Sequence, residues 1–96
     1  MALFVLTCID KPGGLDARMA AREAHLAYVR ERPHEMRLGG PFLDAEGQMV
    51  GSLIIIEVAD LDAAKAWAAS DPYGKAGVFA SVDIRPFRVT VGGLAE

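Results

Sequence analysis

The stretch "GSLIIIEV" (51–58) decides the fold. Leu53 to Ile56 is an unbroken apolar run, and its β-branched residues favour an extended backbone. The turn signal "LDAEGQ" (43–48) stands before it, so the segment reads as a strand that follows a hairpin turn. Side chains alternate along a strand, which splits this one into Leu53 and Ile55 on one face and Ile54, Ile56 and Val58 on the other. Both faces are apolar, and each needs a cover.

The opening run "ALFVLTCI" (2–9) has the same double-sided character, with Leu3, Val5 and Ile9 opposing Phe4, Leu6 and Cys8. "DKPGG" (10–14) breaks it. Residues 15–31 are rich in Ala, Leu, Arg and Glu without Gly or Pro and read as a helix, which Pro33 ends because the residue before a proline avoids the helical region. Residues 35–43, with "GGP" at 39–41, form a weaker strand. Asp60 is placed to cap a second helix, "LDAAKAWAAS" (61–70). A last strand covers about 79–91, and its alternation changes phase near Pro86, which predicts a bulge or a sheet edge there.

The order is β-α-β-β-α-β. This is the ferredoxin-like α+β arrangement, a four-stranded antiparallel sheet with both helices on one face. Two helices cover only one apolar face. A homodimer packed sheet against sheet would cover the other; a monomer that binds a ligand on an open sheet is the rival reading.

A chain of 96 residues allows one domain, 1–96, with 92–96 expected to fray. The ten Lys and Arg are interleaved with thirteen acids for a net charge of −3, which argues against nucleic-acid partners. The only cysteine, Cys8, fits a reducing cytoplasm and a small buried hydrophobe. The first apolar run lacks a basic flank and falls well short of the roughly 20 residues that span a bilayer. A soluble, cytoplasmic protein is expected.

On a helical wheel of residues 15–31, Leu15, Met19, Leu26 and Val29 cluster, and Ala20, Ala24 and Ala27 lie opposite. Arg22 falls inside the apolar sector, with Arg18 and His25 at its edge. An arginine buried there needs an anion, either an internal acid or a ligand, unless it reaches out to water. In "SDPYGKAGVF" (70–79), Asp71 before Pro72 suits an N-cap with proline at the first helical position. Tyr73 and Ser52 have bland readings as a boundary aromatic and a strand-start hydroxyl, and His34 reads as a surface loop residue. No metal-ligand spacing, P-loop, dinucleotide fingerprint or nucleophile elbow is present, so no cofactor and no metal is called for.

Taken in order, Arg22-Glu23-Ala24-His25-Leu26, "GGP" (39–41), "GSLIII" (51–56), "AAKAWAASDPYGKAGVF" (63–79) and "IRPF" (84–87) resemble the YciI-like (YCII-related) family over essentially the whole chain. The resemblance implies a ferredoxin-like subunit that dimerises as an α+β barrel, similar in architecture to muconolactone isomerases. It implies a His–Asp pair in a pocket, falling on His25 and Asp71, with Arg22 and Ser52 matching neighbouring positions. One branch of the family is associated with dehydrochlorination of chlorinated hydroxyquinols.

Imidazole titrates near neutrality, and a carboxylate on its second nitrogen fixes the tautomer. The expected activity is therefore cofactor-independent proton transfer by a lyase or isomerase on a small oxygenated molecule. His25 and Asp71 are its catalytic residues, and Arg18, Arg22, Ser52 and Tyr73 its substrate-binding ones. Two further readings stay open: a non-catalytic dimer that binds a small anionic metabolite, and a purely structural ion pair.

Overall fold

The computed structural model describes residues 1–93. The chain runs β1 (Ala2–Asp10), α1 (Leu15–Arg30), β2 (Met36–Leu43), β3 (Met49–Val58), α2 (Leu61–Ser70), a one-turn α3 (Pro72–Lys75) and β4 (Phe79–Phe87). The strands form one antiparallel sheet in the order β2-β3-β1-β4. This is the ferredoxin-like α+β fold. Among the described residues no helix is long and apolar enough to cross a membrane.

Register shows how the apolar alternation is used. Phe4, Leu6 and Cys8 of β1 pair with Ile56, Ile54 and Ser52 of β3 and so share one face of the sheet. Tyr28 of α1 and Ala64 and Trp67 of α2 pack onto that face, forming a buried core with Phe4, Leu6, Ile54, Ile56 and Val58. The Tyr28 and Trp67 rings meet edge to face at 5.1 Å, and the Tyr28 hydroxyl donates to the Trp67 carbonyl at 2.9 Å. Both helices therefore cover the same face. The opposite face carries Leu3, Val5, Ile9, Leu53 and Ile55, and among the described residues no helix lies over it; Ile9 is 46% exposed, Leu3, Val5 and Leu53 are half-buried and Ile55 is buried.

The last strand is shorter than its sequence suggests. It ends at Phe87 rather than near 91 because Phe87 already pairs with Leu3, and β1 has only Ala2 beyond that point. The register shift lies at the other end of the strand, between Ile9 and Asp10, and Pro86 pairs in register with Phe4. Pro86 is tolerated because β4 is an edge strand. The expectation of a frayed terminus concerns residues 92–96, of which 94–96 lie outside the described residues.

Candidate active site

The site begins with the short segment between α2 and β4. Asp71 ends α2 and caps α3: its Oδ1 accepts from the Tyr73 backbone N–H at 3.1 Å, with Pro72 at the first helical position. The same Oδ1 lies 2.8 Å from His25 Nδ1 of α1, across 46 residues of sequence. Asp71 is 2% exposed and His25 9%. The one-turn helix then lays the Tyr73 ring flat on the imidazole, with centroids 4.0 Å apart and planes 13° from parallel. His25 is thus held at one ring nitrogen and over its ring plane.

A second polar cluster adjoins the first. Arg18 donates through Nε and Nη2 to the two oxygens of Asp10, at 2.7 and 2.9 Å, and Nη2 also reaches Ser52 Oγ at 2.8 Å. Its guanidinium carbon sits 4.6 Å from the centroid of the Tyr73 ring. Burial works against the Arg18 charge, but the hydrogen bonds and the charge of Asp10 outweigh it, and its pKa is raised. Burial likewise raises the Tyr73 phenol, against the pull of Arg18 and Arg22. Cys8, beneath this cluster on β1, is pushed up to about 12 by burial first and by the Asp71 charge second. A thiol so placed is no nucleophile at neutral pH.

These groups open into a cavity of about 270 Å³ between the helix layer and the sheet. α1 contributes Arg18, Arg22 and His25 with an apolar flank of Leu26 and Val29; β2 contributes Met36 and the Gly39–Pro41 edge; β3 contributes Met49, Ser52 and Ile54; and Tyr73 closes one end. Among the described residues no group of three His, Cys, Asp or Glu could hold a metal ion.

All six residues expected at the site, Arg18, Arg22, His25, Ser52, Asp71 and Tyr73, come together here. Their environments differ from the wheel reading in one respect. Arg18, 2% exposed, is the arginine that is buried and paired, whereas Arg22 is exposed and has no ion-pair partner among the described residues. The buried stripe of α1 runs through Arg18, His25 and Tyr28. The apolar residues Leu26 and Val29 line the cavity, and Val29 also packs against the core, so hydrophobicity pointed to pocket wall and core alike. His34 is exposed, as expected. Asp10 is the residue that sequence reasoning missed. The Pro-Gly break after it reads as loop, yet Asp10 continues the Phe4-Leu6-Cys8 alternation onto the covered face.

Fold and cavity together define a class: a small ferredoxin-like α+β protein with a half-open, largely apolar-walled pocket between α1, Tyr73 and the β2–β3 half of its sheet, with a few polar groups set into it. The profile of the YCII-related domain matches residues 2–88, and the chain belongs to that family. It is 40% identical over 93 residues to an uncharacterized protein of Haemophilus influenzae, covering 88% of this chain and 95% of that one. It is 37% identical over 94 residues to protein YciI of Escherichia coli, covering 90% and 96%. Among solved structures it is similar to 5-chloro-2-hydroxyhydroquinone dehydrochlorinase (TftG) from Burkholderia phenoliruptrix in complex with 2,5-dihydroxybenzoquinone. That match has a TM-score of 0.84 and 33% identity, and it covers 90% of this chain and 93% of the other.

Proposed function

We propose that the protein is a cofactor-independent lyase or isomerase that moves a proton on a small, oxygenated, ring-derived molecule, with His25 as general base. The observation that carries this reading is the 2.8 Å contact of His25 Nδ1 with a buried carboxylate at the edge of a cavity. A carboxylate only accepts, so Nδ1 donates to Asp71 and Nε2 keeps its lone pair for the substrate. Asp71 fixes the tautomer and stabilises the imidazolium that forms. Arg22, a cation with no ion-pair partner among the described residues, attracts the anionic end of the substrate, while Arg18, Ser52 and Tyr73 bound its inner end. The similarity to a dehydrochlorinase supports elimination as the reaction type. In such a step the base takes a proton, its bonding pair moves into the ring, and chloride leaves with the C–Cl pair; HCl is lost and no oxidant is consumed.

The test is chloride release from 5-chloro-2-hydroxyhydroquinone. A positioned base contributes ~10²–10⁴-fold, so His25→Ala should lower the rate by that order. A variant as fast as wild type removes His25 from the chemistry. Saturable binding by the wild-type protein with no chloride released would make it a binding protein instead.

We also propose that two copies associate through the sheet face that carries no helix. Its apolar centre of Leu3, Val5, Leu53 and Ile55 supports this, as does a polar flank of the Asp83–Arg85 and Arg37–Glu57 pairs.

A further inference from the structure

Asp10 is a buried acid to which the reading above gives no part. It is 9% exposed and spends both carboxylate oxygens on Arg18. Through that two-point contact Arg18 is locked, and its Nη2 is brought to 2.8 Å from Ser52 Oγ. A guanidinium can only donate, so Ser52 accepts at this contact, and its own proton must point elsewhere. Among the described residues no protein group accepts that proton, although Ser52 is 4% exposed and lines the cavity. A hydroxyl that already accepts a charge-assisted bond is also a stronger donor.

We propose that Asp10 and Arg18 are positioning residues that fix the Ser52 hydroxyl as a donor aimed into the cavity, where it takes a carbonyl or phenolic oxygen of the ligand. This inference rests on the cavity being the ligand site. The charge balance defines the kind of oxygen. Asp10 already offsets Arg18, so the inner end suits an uncharged oxygen that gains negative charge during reaction. A full negative charge belongs at the Arg22 end, where the exposed cation has no ion-pair partner among the described residues. The two ends of the pocket thus distinguish a ligand with one neutral and one ionised oxygen from a simple dianion.

The two roles open to Asp10 predict opposite signs. Were Arg18 a bare anion-binding cation, Asp10→Asn would uncover its charge and tighten binding. A positioning role predicts weaker binding, because Arg18 and then Ser52 lose their orientation. The probe is 2-hydroxy-1,4-benzoquinone, which at neutral pH carries one ionised oxygen and keeps an uncharged carbonyl, with the full-length protein, read by calorimetry and by the carbonyl band in infrared difference spectra. Wild type should bind it and lower the carbonyl frequency, as a fixed donor does. Ser52→Ala should weaken binding about tenfold and return the band to its solution position. Asp10→Asn should do the same, and Arg22→Ala should weaken binding while leaving the shifted band in place.

Ser52→Ala with wild-type affinity and band, tighter binding by Asp10→Asn, or a wild-type protein that leaves the quinone free at millimolar concentration each overturns the inference. Should Asp10→Asn fail to fold, Ser52→Ala decides alone. Loss of turnover in His25→Ala beside an unaltered Ser52→Ala would keep the catalytic reading and remove this one. A Ser52-dependent band shift with no chloride released would do the reverse.

Discussion

A single atom, Asp71 Oδ1, both starts α3 and holds His25, by accepting from the Tyr73 N–H and lying on the imidazole Nδ1. The two uses do not compete, because a carboxylate oxygen has room for two donors. The cap was legible from "DPY" alone; that His25 lies across from it was implied only by the family resemblance, since no local pattern reports a contact 46 residues away. Asp10 was hidden because a charged residue next to "KPGG" looks like loop, although strand alternation taken one step further puts it among the buried side chains.

Cys8 gives this scale its prediction. Folding raises its thiol from the ordinary 9.0 to about 12, so the native state favours the protonated form. Its contribution to stability is whole below pH 9 and disappears as pH rises through about 12. Between those values the thermal midpoint of the wild-type protein should fall more steeply than that of Cys8→Ala, and the native thiol should resist alkylation until the chain unfolds. Parallel slopes for the two proteins would show that Cys8 is not held this way.

At the scale of elements, strands and helices were legible from punctuation and periodicity, and their faces less so. A helix that borders a pocket has two apolar neighbours, core and cavity, and hydrophobicity does not separate them. This is why Arg22 and Arg18 exchanged environments relative to the wheel. β2 and β3 illustrate the same distinction with glycine. An added Cβ at Gly51 would run into the carbonyl oxygen of Cys8 on the paired strand β1 and reach Phe42 Cδ2 at 3.0 Å. Backbone cannot yield there, so Gly51→Ala should destabilise the fold by about 1–3 kcal/mol in a denaturant titration. An added Cβ at Gly39 clashes only with the tip of Met36, a flexible thioether that also lines the cavity, and rests in ordinary contact with the Leu53 carbonyl. Gly39→Ala should therefore unfold at nearly the wild-type denaturant concentration while weakening 2-hydroxy-1,4-benzoquinone binding, because Met36 yields into the pocket. Equal losses of stability in the two variants would refute this division between sheet and pocket.

For the whole molecule, the double-sided strands carried the strongest sequence signal about assembly, because two helices cover only one of two apolar sheet faces. A stable homodimer takes about 800 Å² from each partner. A molecule of 35 × 27 × 21 Å has room for that on its broad side. If the open faces meet, Leu53 lies near the centre of the contact and its replacement by Glu would bury an unpaired charge. Leu53→Glu should then elute at half the wild-type mass in size-exclusion chromatography with light scattering, with its helix and strand signals retained. Val82 offers the control: it is 43% exposed but aligns with Cys8 on the helix-covered side, so Val82→Glu should leave the assembly intact. A wild-type protein that is monomeric at micromolar concentration, or a Leu53→Glu variant of unchanged mass, would mean that this apolar face is covered by something other than a second copy.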